Sequence, residues 1–154
     1  METYQDLFNK QKNYFQSGQT LPYQWRLSQL KKINTAIKTY QPSIMEAIKK
    51  DLSKPEMETY VTEIGIIYRS IKYIQKHLKQ WMKPKKVKTS FLLPLSKAFL
   101  HQEPLGVNLI IGPFNFPIYL ILAPLVEALA AGNTVILKPS ELTPQTSKII
   151  KKMV

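Results

Sequence analysis

Two short apolar runs constrain this chain more than any other feature: GVNLIIG at residues 106–112 and TVIL at 134–137. Strands that read as unbroken apolar runs are covered on both faces, as the strands of a parallel sheet are. Parallel neighbours need a crossover of a dozen or more residues, usually a helix. FPIYLILAPLVEALAA at residues 116–131 has that length and is apolar almost all round, which marks a buried helix. Gly132 ends it in the C′ position, and Pro144 opens a further helix. The pattern predicts a βαβ unit, the opening of a nucleotide-binding α/β domain. A parallel pair of strands is marginal by itself. The expected fold class is therefore α/β, with N-terminal helices followed by the first βαβ unit of an incomplete Rossmann-like cofactor domain.

A membrane span over residues 105–131 is the competing reading, because the run approaches bilayer length. Gly112, Pro113, Asn115, Pro117 and Pro124 interrupt it and Glu127 lies inside it. A span requires one uninterrupted helix, so the sequence argues against it.

Upstream, residues 1–83 read as helical, the N-terminal part of the cofactor domain. Tyr4, Leu7, Phe8, Tyr14 and Phe15 fit one helical stripe that Gly18 ends. Pro22 suits the first turn of a second helix, with Leu27, Leu30, Ile33, Ile37 and Tyr40 on its apolar face. Pro42 is expected to break it and start a short helix through Ile44, Met45, Ile48 and Leu52. Pro55 opens the longest. Its stripe of Met57, Tyr60, Val61, Ile64, Ile67, Tyr68, Ile71, Ile74, Leu78 and Trp81 runs about seven turns and is expected to face the core.

Residues 84–104 form a linker of different character. Pro84 closes the helix, and the β-type residues that follow are interrupted by Pro94 and Ser96. One or two exposed or edge strands with a turn near Pro94 are expected. An apolar ribbon such as Phe91-Leu92-Leu93 often pairs with another strand or another subunit. Residues 105–154 then begin the Rossmann-like sheet.

The net charge of +12 is unevenly placed: residues 1–103 carry 18 Lys and Arg against 8 Asp and Glu, residues 104–154 only 4 against 2. Lys72, Lys76, Lys79, Lys83, Lys85, Lys86 and Lys88 follow one another with no acid between. Such a field can attract nucleic acid or an anionic surface. The plainer reading is a solvated helix face. Only Tyr73 and Trp81 interleave it, too few for a base-stacking platform, so nucleic acid is not an expected partner. The absence of cysteine excludes disulfides, thiolate–metal sites and a cysteine nucleophile within these residues, and no metal site is expected. METYQDLFNKQKNYF has no basic segment followed by an apolar run, so a cytoplasmic setting is expected.

Ligands of open α/β sheets bind beyond the carboxyl ends of the strands. Those ends are Gly112-Pro113-Phe114-Asn115 and Lys138-Pro139-Ser140-Glu141, at one edge of the sheet. Asn115 can donate its amide to a developing negative oxygen. Lys138 offers a cation and Glu141 an acceptor, the pairing that a vicinal diol such as a ribose needs. Each residue has an alternative duty. Asn115 can cap the next helix, Lys138 can be a solvated strand exit, and Ser140 or Glu141 can start a helix. The GxGxxG phosphate loop is absent.

The stretch EPLGVNLIIGPFNFPIYLILAPLVEALAAGNTVILKPSELTP at residues 103–144 closely resembles the aldehyde dehydrogenase family, most specifically in EPLGV, the GPFNFP turn and LAPLVEALAAGNTVILKPSE. Upstream the resemblance is weaker but persists, and the LP-x-x-x-R stretch at residues 21–26 is similar to the shorter, class 3-like branch. Phe114 stands where the family often has tryptophan. The resemblance implies that Asn115 is the oxyanion-hole amide holding the oxygen of a tetrahedral thiohemiacetal. It implies that Lys138, Ser140 and Glu141 bind the ribose side of NAD or NADP, and that Ile111, Pro113 and Phe114 line the nicotinamide side. It further implies an aldehyde substrate and a homo-oligomer, a dimer, built through residues 86–103.

Members of the family also use a cysteine nucleophile, a glutamate base and a later glycine-containing cofactor turn, all beyond the KPSE motif. None is found here, and His77 and His101 read as bystanders. The expectation is an N-terminal fragment of an NAD(P)-dependent aldehyde dehydrogenase, inactive alone. The alternative is a non-enzymatic basic interaction module or inert product.

Overall fold

A computed structural model describes residues 3–89 and 95–154. The elements are α1 (Tyr4–Gln16), α2 (Tyr23–Leu52), α3 (Glu56–Thr59), a π-helical turn (Tyr60–Ile64), α4 (Gly65–Trp81), β1 (Lys85–Val87), β2 (Ala98–Leu100), β3 (Val107–Ile111), α5 (Tyr119–Ala131), β4 (Thr134–Lys138) and α6 (Pro144–Met153). Helices therefore precede a βαβ unit, as the sequence pattern predicts.

Thr3 and Asp6 open α1 with a reciprocal capping box: the Thr3 hydroxyl accepts the Asp6 N–H and the Asp6 carboxylate accepts the Thr3 N–H. The helix buries no residue completely. It leans on the sheet, where the Thr134 hydroxyl donates to the Gln11 carbonyl at 3.2 Å.

Pro42 does not break α2, contrary to expectation; the helix runs through it from Tyr23 to Leu52. An interior proline forfeits a hydrogen bond and costs about 3 kcal/mol. Ile37 before it and Ile44 and Ile48 after it are fully buried in the same core. Each such side chain stabilises by roughly 1.5–3 kcal/mol, so the burial outweighs the break.

The long apolar stripe after Pro55 also needs correction. Ile64, Ile67, Ile71, Ile74 and Leu78 are buried, but Met57 is 75% exposed and Tyr60, Val61 and Trp81 are exposed as well. Trp81 stands at the very end of α4, while for Met57, Tyr60 and Val61 the cause is the π-helical turn at Tyr60–Ile64. It holds one residue more than an α-turn, so the face before it is rotated against the face after it. Thr59 and Glu63 point inward instead.

β1 and β2 pair antiparallel with Lys86 opposite Phe99, an exposed two-stranded ribbon. Phe91-Leu92-Leu93 and the turn expected near Pro94 lie outside the described residues. The seven lysines between residues 72 and 88 are all exposed.

β3 and β4 pair in parallel, Val107 opposite Thr134 through Ile111 opposite Lys138. The Gly112 N–H extends the ladder to the Lys138 carbonyl at 3.0 Å. Ile110, Val135 and Leu137 pack on the core formed by α2, α4, α5 and α6. The opposite face is covered at its start, where α1 meets Thr134, but Leu109 and Ile111 further along are exposed, where strands buried on both sides were expected. Side chains alternate along a strand, so Leu109 and Ile111 share one face while Ile110 between them turns to the core.

The crossover helix α5 begins at Tyr119, three residues later than the apolar run, and continues through Pro124. Ile121, Leu122 and Val126 are fully buried. Gly132 stops the helix at φ 91°, a left-handed position that favours glycine. A Cβ there would lie 2.8 Å from Arg26 Cζ. Arg26 itself donates to the Ala130 carbonyl at 3.3 Å, at the negative end of α5. Burial lowers its pKa. Among the described residues no helix is long and apolar enough to cross a membrane.

Candidate functional site

The register of β3 and β4 brings the two strand exits side by side. Ile111 is the last residue of β3 and stands opposite Lys138, the last of β4. The first loop turns at Gly112, where a Cβ would lie 2.4 Å from two atoms of the buried Ile121 side chain. Only glycine lets the strand end approach α5 this closely. The chain then passes through Pro113, Phe114 and Asn115, all exposed. With Ile111 at 65% and Phe114 at 48% exposure, this loop offers an open apolar wall beside the Asn115 amide.

Asn115 is not a helix cap. The N-cap position of α5 is Ile118, whose side chain makes no capping bond. The N–H groups of Ile118 and Tyr119 are instead taken by a carboxylate from elsewhere, Glu63 Oε2, at 2.9 and 3.2 Å. A helix N-terminus after the first strand is an ordinary place for a phosphate. Here the protein's own anion occupies it, in accord with the missing glycine-rich phosphate loop.

Glu63 Oε1 in turn accepts from Lys54 Nζ at 2.8 Å. Lys54 also donates to the Asn115 carbonyl at 3.2 Å and lies 4.2 Å from the centre of the Phe116 ring. The side chains of Lys54 and Glu63 are 9% and 0% exposed. Sequence reading missed both. Charged residues in a helical stretch read as solvent face, and only the π-helical turn sends Glu63 inward.

The second loop holds Lys138, Ser140 and Glu141. Lys138 and Glu141 form an exposed ion pair. The hydrogen bond from Lys138, and then a backbone hydrogen bond and the lysine charge, hold the Glu141 carboxyl below its ordinary value. Ser140 is buried and bonded within the loop. Its hydroxyl accepts the Leu142 N–H at 3.2 Å, and its carbonyl accepts the Ser147 hydroxyl at 2.8 Å. Asp51, at the end of α2, caps α6 just beyond by accepting the Thr146 N–H at 2.8 Å. Lys138, Ser140 and Glu141 lie in the wall of one open cavity of about 1120 Å³ that reaches Leu125, Leu137 and Ile150.

The histidines stay outside this region. His77 stacks between Tyr73 and Trp81 on α4, with ring centres 4.3 and 5.7 Å away. Among the described residues no cluster of three or more potential metal ligands forms.

Comparison with known proteins places this arrangement. The profile of the aldehyde dehydrogenase family matches residues 2–154. The 4,4'-diaponeurosporen-aldehyde dehydrogenase of Staphylococcus aureus is 46% identical over 154 residues, which cover 100% of this chain and 34% of that protein. Aldehyde dehydrogenase family 3 member H1 of Arabidopsis thaliana is 41% identical over 148 residues, 96% of this chain and 31% of that one. The substrate-bound structure of Staphylococcus aureus AldH superposes with a TM-score of 0.97 at 45% identity, over 100% of this chain and 34% of its own. The succinic semialdehyde dehydrogenase of Streptococcus pyogenes in complex with NADP+ shares the fold at 18% identity, with a TM-score of 0.82 over 99% of this chain and 33% of its own. The chain thus spans about a third of the length of these proteins. On the strength of the match over residues 2–154, this chain belongs to the aldehyde dehydrogenase family.

Proposed function

We propose that this chain supplies the oxyanion-stabilising and cofactor-binding part of an NAD(P)-dependent aldehyde dehydrogenase, which oxidises an aldehyde to a carboxylate. The observation that carries the reading is the strand register. Ile111 lies opposite Lys138, so the Asn115 loop and the Lys138–Glu141 loop open at one sheet edge.

In this reading the Asn115 amide donates to the oxygen that gains negative charge as the aldehyde carbon is attacked. Preorganised donors of this kind are worth about 2.7–4 kcal/mol in the transition state. Ile111, Pro113 and Phe114 form the apolar wall on the nicotinamide side and exclude water from it. Lys138 and Glu141 hold the ribose hydroxyls, a donor beside an acceptor, and Ser140 keeps their loop in shape. The donor set fits NAD or NADP, whose part when bound is to accept hydride. The nucleophile comes from outside these residues, which contain no cysteine. The β1–β2 ribbon, with Phe99 and Leu100 half exposed, serves as the contact with a second subunit in a dimer.

The test uses a chimera in which this chain replaces the aligned third of the Staphylococcus aureus relative. Asn115→Ala should lower kcat roughly 10²–10³-fold with little change in KM for the cofactor. Lys138→Ala and Glu141→Ala should raise the cofactor KM. An Asn115→Ala chimera with undiminished kcat overturns the reading.

A further inference from the structure

We propose that Lys54 and Glu63 are positioning residues for the oxyanion site: one buried ion pair that clamps the Asn115 turn at both ends. The inference rests on the reading of Asn115 given above and concerns what holds that residue in place.

The clamp joins the short connection after α2 to the π-helical turn before α4. Lys54 follows the end of α2, and Glu63 lies in the π-helical turn before α4. Lys54 directs its ammonium at three partners: Glu63 Oε1 at 2.8 Å, the Asn115 carbonyl at 3.2 Å and the face of Phe116 at 4.2 Å. An ammonium has three N–H donors, and this number of partners matches them. Glu63 divides its oxygens, one for Lys54 and the other for the Ile118 and Tyr119 N–H groups. Asn115 and Phe116 are therefore tied to the cation, and Ile118 and Tyr119 to the anion.

The arrangement matters because Pro113, Phe114 and Asn115 are all exposed. The start of α5 also lacks a capping side chain of its own. The Asn115 carbonyl is the far end of the residue whose amide must meet the substrate. Fixing that carbonyl fixes the backbone from which the amide projects. Misplacement by about 1 Å can cost about 100-fold in rate even when the altered residue is remote from the chemistry.

The experiment separates positioning from mere stability. Lys54→Met, Glu63→Gln and the double variant are made in the chimera and in the 154-residue chain. Lys54→Met and the double variant should lower kcat about 100-fold, with cofactor KM within about twofold. The double variant removes both charges and keeps the shapes, so its unfolding midpoint should return toward that of the parent. Its kcat should stay low, because the thioether that replaces the Lys54 ammonium offers the Asn115 carbonyl no donor. Recovery of kcat in step with stability would show that the pair is only structural and overturn the proposal. Lys54→Arg, which keeps charge and donors, should restore part of the lost kcat.

A second readout is independent of activity. In the 154-residue chain, hydrogen exchange at Ile118 and Tyr119 should rise at least about tenfold in Glu63→Met, which offers these N–H groups no oxygen acceptor, relative to Val126, in the middle of the same helix. Unchanged relative protection would overturn the clamp. If Glu63→Met does not fold, Lys54→Met and the double variant carry the kinetic test alone. An Asn115→Ala chimera of normal kcat would remove the oxyanion reading, while the exchange measurement would still decide whether the clamp exists.

Discussion

Lys54 and Glu63 meet at 2.8 Å in the interior, and the carboxylate has no exposure to water. Each charge is satisfied by the other and by the backbone at the start of α5. Removing one member alone leaves the other buried and uncompensated, at a cost of about 3–5 kcal/mol. Glu63→Ala should lose that much in urea unfolding. A variant within about 1 kcal/mol of the parent would show that water reaches Lys54 in solution.

Gly132 and Arg26 make a second sensitive contact. Gly132→Ala would place a side chain at φ 91° and set its Cβ 2.8 Å from the buried guanidinium carbon. The backbone conformation alone costs about 1–2 kcal/mol for a residue with a side chain. The variant should lose more than that figure in a thermal or urea melt, because Arg26 must also give up its bond to Ala130. A melt that matches the parent would mean that α5 ends differently.

The Lys138–Glu141 pair gives a pH signature. Glu141 titrates below the ordinary value of 4.5 because Lys138 hydrogen-bonds its charged form. The folded value lies below the unfolded one. The pair's contribution is therefore complete above the unfolded value and is lost as pH falls through the folded one. The pair is exposed, so its effect on overall stability is small. The side-chain carbon resonance of Glu141 should have its midpoint below pH 4.5 in the parent and shift upward in Lys138→Ala. A midpoint at or above 4.5 in the parent would show that the pair does not form.

The 154-residue chain by itself should not reduce NAD+ or NADP+ with any aldehyde, because it holds no cysteine to attack the carbonyl carbon. Formation of NAD(P)H above the rate without protein would require a different nucleophile.

The ribbon offers a test of assembly. Phe99 and Leu100 are about half exposed on β2. If they meet a second subunit, Phe99→Glu should shift the sedimentation of the chimera from dimer to monomer. An unchanged dimer would place the contact elsewhere.

Much of this was legible in order along the chain. Residues 106–144 announce strand, helix and strand because glycines punctuate apolar runs of the right lengths, and Gly132 and Pro144 stand at helix ends as local chemistry demands. Asn115, Lys138 and Glu141 could be named as candidates because they stand at or just after strand ends, where ligands of such sheets bind. Pro42 was misread for the opposite reason. Its local penalty is real, but Ile37, Ile44 and Ile48 are committed to one core on both sides of it.

By itself the sequence determined the order of the elements, the parallel pairing and the loops that carry the candidate chemistry, since periodicity and turn residues act over a few positions. Only the tertiary structure decided that residues 60–64 form a π-helical turn, that Glu63 turns inward, and that Lys54 reaches it across nine positions and Asn115 across sixty-one. A charge is stable in the interior only when its partners converge on it from several segments. That convergence belongs to the packed chain, and no local pattern encodes it.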